Sequence, residues 1–187
     1  MKRKIAACSL LLIVMAVIPA ITAGGIQPYS DNSASSGSDN SSAVTALAAS
    51  LCGKDFCDEA IKAMIILANT NSAKQSLEEQ NADFNSNLEL REKIDSIYRS
   101  NKELYIYKNG QLPSIPYAEI SNGATYPDNS LPDFPAVSSP WDCLDSAFDS
   151  EAYCTGVSLR GVNYLCRRGF SAEEALLHYL PGFEIKT

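Results

Sequence analysis

Apolar residues recur at three- and four-residue spacing in two stretches of the chain. Ile61, Met64, Ile65 and Ala68 line one face of a helix that opens at Asp58 and Glu59, acids placed where the helix dipole favours negative charge. Leu90, Ile94, Ile97 and Tyr98 repeat the spacing and predict a second helix over residues 87–100. Residues 43–50 form a shorter apolar helical stretch, interrupted near Gly53. Residues 104–107, then Asn109-Gly110, then Gln111 onward predict a strand, a tight turn and a returning strand. Residues 121–142 carry Pro127, Pro132, Pro135 and Pro140 among Ser, Asn and Asp, the composition of a long ordered loop. Residues 157–168 are helix-compatible and stop at Arg167, Arg168 and Gly169. Ser171-Ala172-Glu173-Glu174 is a capping box opening a last helix, which Pro181-Gly182 ends. The class these elements predict is α+β, a single domain with helices packed on a small, mostly antiparallel sheet.

Ahead of that domain the pattern changes twice. Lys2, Arg3 and Lys4 precede a nearly unbroken apolar run over residues 5–23, with small residues at Thr22, Ala23 and Gly24. A basic start, an apolar stretch and a small-residue junction make a secretory signal, and the length of the run also suits an uncleaved single-span anchor. Both readings place the rest of the chain outside the cytoplasm, with the basic residues held inside. Cys8 has no apolar stretch before it, so a lipoprotein signal is not expected. Residues 24–42 are Gly, Ser, Asn and Asp with almost nothing to bury, a disordered linker, and the folded domain is expected over 43–187.

Charge narrows the function further. The chain has 15 basic and 22 acidic residues, a net charge of −7. Residues 1–23 hold three basic and no acidic residues, so the remainder carries 12 basic against 22 acidic and a net charge of −10. That balance argues against nucleic-acid binding, which needs a basic footprint. A single histidine, His178, leaves hydrolytic triads and His-rich metal sites hanging on one residue.

Three stretches together resemble the stage II sporulation protein D family, whose domain is shared with amidase-enhancer proteins of bacterial cell walls. Residues 47–64 (LAASLCGKDFCDEAIKAM) match, without a gap, the family's V-V-A-x-E-M-P-x-x-F-x-x-E-A-L-K-A-Q. Tyr107-Lys108-Asn109-Gly110 and Ser121-Asn122-Gly123-Ala124-Thr125 look like its Y-x-N-G hairpin and S-x-G-x-T strand end, and Ser139-Pro140-Trp141-Asp142 like its S-P-W-D. Gly156, Ser158, Gly161, Asn163-Tyr164-Leu165 and Gly169 keep the frame of its glycine-rich helix, and residues 174–185 (EALLHYLPGFEI) resemble its closing segment.

The resemblance implies an exported α+β domain related to lytic transglycosylases, which cleave peptidoglycan glycan strands. That chemistry needs a carboxylic acid to protonate the glycosidic oxygen. The family's acid falls here on Leu51, the His of its hairpin strand on Ala118, its H-G on Tyr153-Cys154 and its Q-Y on Leu159-Arg160. A framework kept while its reactive groups are lost implies a non-catalytic member, acting in glycan binding or scaffolding with peptidoglycan strands or with cell-wall and sporulation proteins as partners. Two alternatives stay open: an active glycan-strand hydrolase with a relocated acid, Asp55 or Glu59, and an exported protein-interaction module. Trp141, Tyr117, Tyr126 and Tyr153 are candidates for stacking on sugar rings, with core packing as the alternative for Trp141. For His178 a packing role on the last helix competes with a catalytic or ligand role.

Five cysteines follow the N-terminal segment. Outside the cytoplasm disulfides are permitted, and an odd number leaves a thiol over. The local pairings Cys52 with Cys57 and Cys143 with Cys154 are the first expectation. Zinc is the alternative, but neither C-x4-C nor C-x10-C has the spacing of a zinc knuckle, so no metal and no cofactor is expected.

Overall fold

The computed structural model describes residues 39–74 and 88–187. The expected N-terminal signal or anchor, and the linker up to residue 38, lie outside the described residues. Among the described residues no helix is long and apolar enough to cross a membrane.

Helix α1, Asp39–Leu51, begins inside the segment expected to be a linker and ends two residues before Gly53. Helix α2, Asp58–Lys74, is the centre of the molecule. Its sequence predicts one apolar face, yet Ala60, Ile61 and every residue from Ala63 to Ala68 is wholly buried. The reason is that α1, helix α3 (Leu88–Asn101), helix α4 (Leu159–Arg167), helix α5 (Ala172–Tyr179) and strand β1 (Tyr105–Tyr107) all pack against it. A helix apolar all round belongs in a core, and its single-face periodicity is lost for that reason.

The burial continues past the apolar residues. Asn69, Thr70, Asn71 and Ser72 are also buried, at the end of α2. The side chains of the first three do the work of a neighbouring strand. Thr70 Oγ1 accepts the Ile106 backbone N–H at 2.9 Å, and Asn71 Oδ1 accepts that of Ile115 at 2.8 Å while Nδ2 donates to the Ile115 carbonyl at 3.0 Å. Asn69 Nδ2 donates to the carbonyls of Asn101 and Leu104. Buried backbone groups must find partners, and here a helix supplies them.

The predicted tight turn is present. Asn109 and Gly110 have φ of 51° and 75°, the left-handed pair of a two-residue hairpin turn, closed by reciprocal Lys108 and Gln111 bonds of 2.9 and 3.0 Å. The returning strand is not. Pro113 and Pro116 interrupt the chain after Gln111 and cannot donate to a ladder. Strand β1 pairs instead with β4, Glu184–Lys186, antiparallel with Ile106 opposite Ile185. A second two-stranded sheet joins β2, Tyr117–Ala118, to β3, Val157–Ser158, in parallel. The β2–β3 approach requires Gly156: at φ 78° a Cβ there would overlap the Pro116 carbonyl, the group that accepts Val157 N–H at 3.1 Å. The class is therefore α+β, with five α-helices and two small sheets among the described residues.

Helices α3 and α5 follow their predicted bounds to within a residue or two, and residues 157–158, expected as helix, are β3 leading into α4. The capping box is formed in full: Ser171 Oγ accepts from Glu174 N–H, and Glu174 accepts from Ser171 N–H at 2.9 Å. The loop between β2 and β3 is ordered by Thr125 and Val137, whose backbone and hydroxyl bonds are 2.8 and 2.9 Å, and by Ser139 N–H on the Gly123 carbonyl at 2.8 Å.

Candidate functional site

The β2–β3 loop is anchored by one buried carboxylate. Ser139 leads into a 3₁₀ turn, Pro140–Leu144, which carries Asp142 inward to 1% exposure. Asp142 Oδ2 accepts from Ser121 N–H at 3.1 Å, Ser121 Oγ at 2.6 Å and Ser158 Oγ at 2.7 Å. Ser158 in turn caps α4, accepting Gly161 N–H at 3.2 Å. A single side chain so fixes the end of β2, the 3₁₀ turn and the start of α4 through Oδ2, while its Oδ1 is buried with no hydrogen-bond partner among the described residues.

Trp141 belongs to the same framework. Its Nε1 donates to Tyr179 Oη at 3.0 Å, and Ser139 Oγ lies 2.7 Å from that hydroxyl. Burial, and then the Asp142 charge, push the Tyr179 phenol upward, so it stays neutral. One face of the Trp141 indole stacks on Tyr164 at 5.8 Å and 3°, and His178 tilts against it at 5.1 Å. His178 Nε2 sits 2.9 Å from the Ser138 carbonyl, an acceptor only, which assigns the proton to Nε2. Trp141 and His178 both brace the turn through these contacts.

Around Leu159-Arg160 the structure gathers charge that the sequence reading did not single out. Arg160 Nε donates to Glu119 at 3.0 Å and its NH1 to Asp145 at 3.1 Å, with Asp55 at 4.0 Å. Burial works to lower the Arg160 guanidinium, but the bond to Glu119 and the charges of Asp145, Glu119 and Asp55 hold it raised overall. Asp55 also meets Arg167, which donates to its carbonyl at 2.6 Å and pairs with its carboxylate at 3.4 Å. Glu59 Oε2 accepts the Ala172 backbone N–H at 2.9 Å, satisfying the first turn of α5. Both expected alternative acids are engaged in tying the α2 start to α4 and α5.

The remaining positions taken from the family pattern separate. Leu51 and Leu159 are core residues at 5% and 6% exposure, and Ala118 is half-buried on β2 opposite Ser158. Tyr153 stands out at 63%. Its ring stacks on Tyr126 at 5.3 Å and 12°, so the exposed area is the other face and the edge. Tyr126 is held from behind: its backbone N–H meets the Cys154 carbonyl at 2.8 Å and its hydroxyl donates to Asn122 Oδ1 at 2.9 Å. Tyr117 is separately exposed, on β2.

All five described cysteines are free thiols, so neither the Cys52–Cys57 nor the Cys143–Cys154 bond is present. Cys143 is exposed beside the Asn122 carbonyl, whereas Cys154 is buried and its thiol is pushed up to about 12 by desolvation. Desolvation also pushes Cys52 up to about 12, against the opposing charge of Lys93. Desolvation, and then the neighbouring Cys57, push the Cys166 thiol up to about 12. No three His, Cys, Asp or Glu groups converge as a metal site among the described residues.

No family model matches the chain, and no curated protein matches it significantly.

Proposed function

We propose that the chain is an exported, cell-wall-associated protein whose domain binds peptidoglycan glycan strands, or scaffolds wall and sporulation proteins, without cleaving glycan. The observation that carries this reading is the Tyr126–Tyr153 stack, an aromatic surface with one open face braced by Asn122. Sugar rings present C–H faces that pack on aromatic faces, and a ring fixed by its neighbour loses little freedom on binding.

The absence of cleavage rests on Leu51. A hydrocarbon in the core cannot protonate a glycosidic oxygen, and Asp55 and Glu59 are occupied by arginines and by a backbone amide. A working glycosidase needs an acid within reach of the scissile bond. The N-terminal basic and apolar pattern supports export, and the acidic balance supports a partner other than nucleic acid.

Incubating the purified protein with insoluble peptidoglycan tests the reading. The expected result is protein in the pellet and no anhydro-ended muropeptides in solution. Product release overturns the non-catalytic assignment. Protein left in the supernatant without product overturns glycan binding and points to the interaction module.

A further inference from the structure

We propose that Cys57 and Cys166 form a disulfide when the chain meets an oxidising thiol–disulfide couple, a covalent lock between the turn before α2 and the end of α4. The inference goes beyond glycan binding and does not depend on it. Three ties bracket the pair. Asp55 is bonded to Arg167 through its carbonyl at 2.6 Å, the Cys57 N–H is donated to Asn163 Oδ1 at 3.1 Å, and Glu59 accepts from Ala172 at 2.9 Å. Asn163 and Cys166 are three residues apart on α4, one above the other on the same buried face. The backbone of Cys57 is thereby held at the turn of α4 that precedes Cys166. Cys166 lies in the core, Cys57 packs against that core, and after burial Cys57 is the neighbour that acts most on the Cys166 thiol.

No comparable bracket holds Cys52 to Cys57. Cys57 already serves α2, its carbonyl accepting Ile61 N–H at 2.9 Å, and Cys52 lies at the far end of the intervening turn. Closing Cys57 to Cys166 spans a loop on the order of 100 residues, the regime in which a cross-link removes most disorder from the unfolded chain. It would also fix Asp55 between Arg160 and Arg167.

The chemistry is thiol–disulfide exchange. Cys57, the more exposed of the two, attacks as thiolate one sulfur of a partner disulfide, forming a mixed disulfide and releasing one partner thiol. Cys166 then attacks the Cys57 sulfur and its proton goes to the departing partner sulfur. Two protein thiols are oxidised and one partner disulfide is reduced to two thiols. Burial holds the Cys166 thiol up near 12, which places it second in this order.

The test equilibrates the full chain with oxidised and reduced glutathione, blocks free thiols by alkylation and maps peptides without reduction. A linked Cys57–Cys166 peptide is expected as the dominant bridge. Separate alkylation of both residues at every redox ratio, or a Cys52–Cys57 bridge in its place, overturns the proposal. As a second reading, reduction of the wild-type protein should lower the thermal midpoint by roughly 5–15 °C. The same treatment should leave Cys166→Ala unmoved, and an equal drop in that variant would assign the stabilisation to another bridge.

Discussion

Gly161 faces the Tyr179 hydroxyl so closely that a Cβ at position 161 would overlap it. The hydroxyl cannot retreat, because Ser139 and Trp141 hold it at 2.7 and 3.0 Å and Tyr179 is wholly buried. On the other side the same Cβ would lie 2.9 Å from Asp142 Oδ1. Here α4 gives up helix propensity so that the β2–β3 loop can close on α5.

Gly161→Ala is expected to destabilise the protein. Alanine gains about 1 kcal/mol of helix propensity, but overpacking a site whose neighbours are pinned costs about 1–3 kcal/mol, and the steric cost wins. Denaturant unfolding of the single variants and of Gly161→Ala with Tyr179→Phe checks it. The pair should lose less than the sum of the two singles, since removing the hydroxyl removes the clash. Strict additivity would show that Tyr179 is not what excludes a side chain.

Leu51→Glu should not create lytic activity and should destabilise the fold by about 3 kcal/mol or more, because it buries an unpaired carboxylate in the core. Muropeptide analysis and urea unfolding give the two readouts. Robust turnover from this one change would mean that a complete glycan-cleaving site surrounds position 51.

Tyr153→Ala should weaken peptidoglycan binding about 3- to 10-fold, the value of one aromatic stacking contact. Its stability should move by no more than about 0.5 kcal/mol, since the residue is largely exposed. Trp141→Ala should do the reverse of this separation, losing stability first, because its indole is built into the turn. Equal binding by Tyr153→Ala and wild type in a pelleting assay would refute the stack as the binding surface.

The bonds from the Ser171 backbone and hydroxyl hold the Glu174 carboxyl below its ordinary 4.5. A carboxyl with a lowered folded value adds stability that is present above the unfolded value and is lost as pH falls through the folded one. Glu174→Gln should therefore differ from wild type above pH 4.5 and converge with it at lower pH. Thermal midpoints across that range check the sign. A constant offset at all pH values would remove the ionised carboxylate from the capping box.

If the apolar run over residues 5–23 is an anchor, a C-terminally tagged protein should be found at full length in membranes. If it is a cleaved signal, a shortened species should appear in the wall or medium, and Ala23→Trp should convert it into a retained one. A full-length protein in the cytoplasmic fraction would overturn export.

Local physics in the sequence determined the parts of this protein that depend on near neighbours. The capping box at Ser171 and Glu174, the Asn109-Gly110 turn and the α3 spacing of Leu90, Ile94 and Ile97 each follow from dihedral preference or from helical period within a few residues. The tyrosines of the candidate surface were legible as residue types, but the Tyr126–Tyr153 stack was not, since it joins two ends of a loop. Only tertiary structure decided which strand β1 would take. Glu184–Lys186 reaches it from the end of the chain, and the signal against a local hairpin was the pair Pro113 and Pro116. The burial of Asn69, Thr70 and Asn71, the engagement of Asp55 and Glu59, and the meeting of Cys57 with Cys166 are also products of chain closure. A polar side chain shows the same letters in a sequence whether it faces water or completes a strand, and the backbone group that it satisfies is fixed only when distant segments pack.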